Sequence, residues 1–176
     1  ASERTYSNAQ NLLNWVKQQD GHIRAVPAHA VVNLLIEDAF DRIRPQAVSH
    51  GTRLLNEIPL DDVILVDSAL LSIVLNNLLI NAIANTRVPE IRITSRSHAH
   101  HSELRITDNG PGLPEAVMTR IQRIKAGDHT VRGEHGGSSS GLGFMIVEHI
   151  MNVLGGAFEV ESANGSGTTI LLRLPL

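Results

Sequence analysis

The stretch LSIVLNNLLINAIANT, residues 71–86, decides how this chain folds. Leu71, Val74, Leu75, Leu78 and Ile83 recur at the spacing of a helix with a core-facing side. Asp67 or Ser68 stands where an N-cap belongs, and the helix is expected to run to about Asn85. Asn77 and Asn81, four residues apart, share one face of it. An amide beside a core face must find partners. Taken alone, both asparagines read first as amides satisfied by backbone or solvent, as is common on a half-buried helix.

Upstream, residues from about Arg4 to Gln19 read as a helix with Leu12, Leu13, Trp15 and Val16 clustered, closed by Asp20-Gly21. Trp15 reads as helix-interface packing. Val26-Pro27 marks a break. A helix over Leu34 to Val48 follows, with Pro45 implying an end or kink before it. Thr52 to Ile58 and Val63 to Val66 read as strands.

Downstream, Glu90 to Arg96 and Glu103 to Asp108 alternate as a hairpin with SHAHH at its turn. Pro114 opens a helix to about Lys125. Residues 126–140 are rich in Gly and Ser and read as a mobile loop. Leu142 to Leu154 is a helix stopped by Gly155-Gly156. Ala157 to Glu161 and Thr168 to Leu174 form a closing hairpin around Asn164-Gly165-Ser166-Gly167. The order of elements predicts an α+β sandwich, one mixed, mostly antiparallel sheet with helices packed on one face.

The 176 residues favour one domain with an attached element. Apolar residues make up 42% and aromatics 3%, so the expected core is aliphatic. A formal charge of −3 argues against a broad nucleic-acid-binding surface. With no cysteine, disulfides and thiolate metal sites are excluded. The longest apolar stretch, Val63 to Ala84, is interrupted by Asp67, Asn76, Asn77 and Asn81, too polar to span a membrane, and the first residues have no signal-peptide character.

Four motifs bear on chemistry. An Asn carbonyl is a hard, neutral oxygen suited to Mg²⁺, with phosphates and water as the other ligands, so one of Asn77 and Asn81 has a reason to face a pocket. In Ile106-Thr107-Asp108-Asn109-Gly110-Pro111-Gly112, a strand ends in a carboxylate able to accept from the exocyclic amine of adenine, and glycines let backbone approach a flat base; an ordinary turn is the alternative. Gly141-Leu142-Gly143-Phe144, after Gly136-Gly137-Ser138-Ser139-Ser140, opens a helix whose free N–H groups form a phosphate seat; a serine-capped linker is the alternative. It is not a P-loop, because Leu142 stands where Lys is required. Gly165-Ser166-Gly167-Thr168-Thr169 offers a hydroxyl and backbone amides, or a plain hairpin turn.

In this order and spacing, the four motifs resemble the catalytic ATP-binding domain of sensor histidine kinases, in the Bergerat (GHKL) ATPase group, over about Val26 to Leu176. Asn77 and Asn81 match the N box, Asp108, Gly110 and Gly112 the G1 box, Gly141, Leu142 and Gly143 the G2 box, and Gly165, Gly167 and Thr168 the last box. The resemblance implies a Bergerat-type α/β sandwich that binds ATP and Mg²⁺, with Asn81 holding Mg²⁺ and Asp108 reading adenine. Asn77 stands where hydrolytic members carry a water-activating Glu. Asn has no titratable carboxylate, so the kinase branch is implied.

The segment NLLNWVKQQDGHI resembles the end of a dimerisation and phosphoacceptor domain, giving residues 1–25 to that helical domain and linker and 26–176 to the catalytic domain. The implied partners are ATP, the protein's own phosphoacceptor domain in a homodimer, and a response regulator. The implied location is a cytoplasmic domain of a protein anchored in the bacterial inner membrane. None of the nine histidines stands in a phosphoacceptor setting, so the acceptor is expected upstream.

Two departures stand out. Ala84 and Asn85 replace the usual Lys and aromatic after Asn81, leaving Arg87, Lys125 or Arg132 as substitute cations. Ile121-Gln122-Arg123-Ile124 lacks the usual Phe. These leave a nucleotide-binding regulatory module as the alternative. His98, His100 and His101 read as an exposed turn, since no carboxylate or Cys spacing completes a metal site.

Overall fold

A computed structural model describes residues 23–84, 90–128, 140–163 and 165–176. The expected Arg4–Gln19 helix, Trp15, and the expected cations Arg87 and Arg132 lie outside these residues.

The described elements run β1 (Ala28–Val31), α1 (Val32–His50), β2 (Arg53–Asn56), β3 (Val63–Val66), α2 (Ser68–Ala84), β4 (Glu90–Ser97), β5 (His101–Asp108), α3 (Glu115–Lys125), α4 (Ser140–Val153), β6 (Ala157–Ser162) and β7 (Thr168–Pro175). A five-stranded sheet has the order β2-β4-β5-β7-β6. Its β2–β4 pair is parallel and the others are antiparallel. The mixed, mostly antiparallel sheet agrees with expectation.

The single expected sheet does not. Val63–Val66 pairs antiparallel with Ala28–Val31, making a separate two-stranded sheet. The short Ala-His-Ala-Val run carries no strand pattern of its own; its partner defines it.

Pro45 neither ends α1 nor starts it. Ile43 and Ala47 are both buried on either side of the proline. Their packing holds the helix together across the missing N–H. The helix stops at Gly51, whose positive φ lets its N–H cap the last carbonyls.

α2 lies between α1 and α4 and is the centre of the core. Leu71, Val74, Leu75 and Leu79 are fully buried; replacing such a leucine with Ala costs about 2–5 kcal/mol. The Asp67 carboxylate accepts from Leu70 N at 3.1 Å, capping α2, and from Val26 N at 2.9 Å, tying down the segment before β1. The core is mainly aliphatic, but all three phenylalanines are buried in it.

Alternation along β5 sets the two faces of the sheet. Ser102, Leu104 and Ile106 are buried on the helix-covered side, so Asp108, next in that series, ends the strand on the same side. The opposite face carries Arg and Glu pairs: Glu57–Arg92–Glu90–Arg53 and Arg173–Glu159. Exposed pairs of this kind add little stability but keep an uncovered sheet face wettable.

Candidate functional site

Two clusters form at the ends of the core elements. The first joins α2 to α4. Asn81 Nδ2 is buried and has no hydrogen-bond partner among the described residues. That nitrogen lies against Gly143, where an added Cβ would stand 2.5 Å from it. Gly143 is therefore a close-approach position, where the absence of a Cβ leaves room for the Asn81 amide as it stands. Gly141, Leu142 and Gly143 form the first turn of α4, where backbone N–H groups lack intrahelical acceptors. Asn77, one turn before Asn81, donates from Nδ2 to Ile73 O at 2.7 Å, so its donor is folded back onto its own helix.

The second cluster is built at the open end of β5. Asp108 pairs with Thr168 of β7 and Ile91 of β4. Its Oδ1 accepts from Gly110 N at 3.0 Å. Burial raises the Asp108 pKa above the ordinary 3.8, and the amides of Gly110 and Thr168 oppose that rise. Gly167 has a φ of +82°, and a Cβ there would collide with the backbone oxygen of Asp108. Gly112 presses similarly on Ala163 O. Gly165 N donates to Pro111 O at 2.9 Å, joining the two glycine turns.

A residue that the sequence reading passed over holds this cluster together. Ser162 Oγ accepts from Leu113 N at 2.7 Å, contacts Thr168 Oγ1 at 3.1 Å and donates to Gly167 O at 3.3 Å. Nothing in the letters around position 162 distinguishes it from any serine at a strand end. Thr168, expected to present a hydroxyl to the pocket, is buried with that hydroxyl on Ser162.

Thus the structure places Asn81 with Gly143, and Asp108 with Gly110, Gly167 and Thr168. The carboxylate ends its strand on the sheet face that the helices cover. Among the substitute cations, Lys125 lies with Nζ 5.3 Å from the centroid of the Phe158 ring, a cation–π contact. Phe158 in turn stacks on Phe144, just after Gly143. In place of the missing Phe, Ile121 and Ile124 bury α3 against the core.

A family model, described as the histidine kinase-, DNA gyrase B- and HSP90-like ATPase, matches residues 66–176, which include every one of these residues. The chain belongs to that ATPase family.

Within the family, the named relatives are sensor histidine kinases. The chain is 32% identical to the sensor histidine kinase AruS of Pseudomonas aeruginosa over 152 residues, covering 81% of this chain and 15% of AruS. It therefore spans a small part of that relative. Its fold is that of histidine kinase catalytic domains: the nucleotide-free catalytic domain of ThkA superposes with a TM-score of 0.67 at 21% identity, covering 85% of this chain and 97% of that one. Full-length ShkA, solved in complex with AMPPNP, gives 0.70 at 21% identity, covering 87% and 32%. No helix among the described residues is long and apolar enough to cross a membrane.

Proposed function

We propose that this chain is the ATP-binding catalytic domain of a two-component sensor histidine kinase, transferring the γ-phosphoryl group of ATP to a histidine outside it. The observation that carries the reading is the Asn81 amide, its Nδ2 buried without a hydrogen-bond partner among the described residues and packed on Gly143 in the first turn of α4.

In this reading Asp108 receives the exocyclic amine of adenine, held by Gly110 and Thr168 amides as an acceptor. Gly112 and Gly167 let backbone close around the base. The first turn of α4, Gly141 to Gly143, directs its N–H groups at the phosphates, where the helix dipole also favours anions. The donor set fits Mg²⁺: a neutral amide oxygen leaves the remaining ligands to phosphate and water. Asn81 would hold the ion, which supplies charge neutralisation along the phosphates. Asn77 brings no carboxylate to activate water, which favours transfer over hydrolysis. Catalysis then rests on positioning and electrostatics.

Residues 1–25 are assigned to the end of a dimerisation and phosphoacceptor domain, and 26–176 to the catalytic domain. The parent protein is read as a homodimer anchored in the bacterial inner membrane, with this domain in the cytoplasm and a response regulator as the next phosphoryl acceptor. The sensor-kinase names of the relatives support this.

The test combines the chain with the phosphoacceptor helices of its parent protein and labelled ATP·Mg. Acid-labile label on the helical domain is expected. Label on serine or threonine, or ATP turnover without any acceptor, would overturn the assignment.

A further inference from the structure

The β4–β5 turn holds chemistry that the nucleotide site does not use. His98 N donates to His101 O at 2.9 Å, closing a tight turn over Ala99 and His100. The two imidazoles stack, with centroids 4.4 Å apart. The spacing of the letters shows no carboxylate beside these histidines, but the fold brings Glu103 to them. It lies two residues along β5 from His101, on the same face of the sheet. One ligand atom from each of His98, His101 and Glu103 lies within 4.8 Å of the other two.

Glu103 is the unusual member. It is only 7% exposed, yet it stands on the sheet face that the helices leave uncovered. Its neighbours are His98 Nε2 at 3.9 Å, Arg105 at 3.7 Å and Arg173 Nε at 3.8 Å. All three lie beyond hydrogen-bond range. The Arg173 guanidinium is already committed to both oxygens of Glu159, at 2.9 and 3.2 Å. The carboxylate is thus held by long ion pairs and no close donor among the described residues, and it faces the two imidazoles.

We infer that His98, His101 and Glu103 form a binding site for a borderline divalent transition ion, of which Zn²⁺ is the representative. Two neutral imidazoles and one carboxylate are a donor set that Zn²⁺ takes with water in the fourth position. Tetrahedral coordination at about 2.0–2.1 Å brings ligand atoms to roughly 3.4 Å from one another. Closure from the present spacing therefore requires the imidazoles to leave their stack and turn their lone pairs inward. His98 is on the exposed turn and is free to do so. The carboxylate then gains a cation that neither arginine supplies at bonding distance.

This site is remote from the nucleotide cluster. His101 and Asp108 are at opposite ends of β5, roughly 23 Å apart along the strand. It stands or falls independently of ATP binding.

The test is titration of Zn²⁺ into the chain against a chromophoric chelator, with excess Mg²⁺ and no nucleotide, paired with the visible absorption of Co²⁺. One equivalent bound at low-micromolar or tighter affinity is expected, with tetrahedral Co²⁺ bands. His98→Ala, an exposed turn substitution, and Glu103→Gln should each weaken Zn²⁺ about tenfold or more, while His100→Ala and His29→Ala leave it within about twofold. Melting curves establish that each variant is folded. Zn²⁺ affinity in His98→Ala equal to wild type, or no binding in this range by wild type, overturns the proposal.

Discussion

Asn81 and Gly143 meet at the junction of α2 and α4, with the buried amide nitrogen of one occupying the space where a side chain on the other would begin. The clash from Gly143→Ala falls on the end of a side chain, which can swing away. The expected outcome is selective: nucleotide affinity in Mg²⁺ drops by about tenfold or more, while stability changes by less than about 1 kcal/mol. Calorimetric titration of ATP together with thermal melting checks this. Intact affinity would show that the amide's position is immaterial.

Gly167 presents the opposite case. A Cβ there meets the Asp108 backbone, which cannot move aside, and the residue has a φ of +82°. Gly167→Ala should destabilise the chain by roughly 2 kcal/mol or more, measured by urea unfolding.

Ser162→Ala removes the acceptor for Leu113 N and the link to Gly167 and Thr168. A loss of about 1–3 kcal/mol is expected. Nucleotide affinity should fall with it, because the two glycine turns lose their common tie. Ser162→Thr keeps the hydroxyl and should recover part of both.

Asp108 makes stability depend on pH. Its carboxyl pKa is raised in the folded state, chiefly by burial, so the folded chain binds that proton more tightly than the unfolded chain. Its contribution to stability is therefore fully present below the ordinary 3.8 and is lost as pH rises through the raised value. At neutral pH the ionised group is a liability. Asp108→Asn retains an acceptor for Gly110 N without the charge. Its melting temperature at neutral pH should be no lower than that of wild type, with a flatter profile across the weakly acidic range. A clear loss of stability would contradict the burial argument.

How much of this was legible in the letters varied with the kind of constraint. α2 and the β4–β5 hairpin could be read because their periodicity is internal to each segment. β1 could not, because it exists through its pairing with Val63–Val66. Pro45 misled because its local penalty is outweighed by the burial of Ile43 and Ala47, which only the tertiary structure reveals. In the candidate site, Asn81 and Asp108 announced themselves as polar residues at conspicuous places beside core and glycine. Ser162 did not, since its role depends on three partners that come together only after β6 and β7 pair. Glu103 is hidden for a similar reason: its closeness to the histidines depends on which strand residue shares their face, not on the spacing of the histidines themselves.

The most direct measurement is the affinity of ATP and GTP for wild type and for Asp108→Asn. Wild type should prefer ATP, and the substitution should remove at least about tenfold of that preference, since a site built to pair a polar group rejects the wrong partner strongly. If Asp108→Asn discriminates against GTP by the original margin, the carboxylate does not read adenine, and the convergence of Asn81, Asp108 and the α4 turn on one nucleotide is wrong.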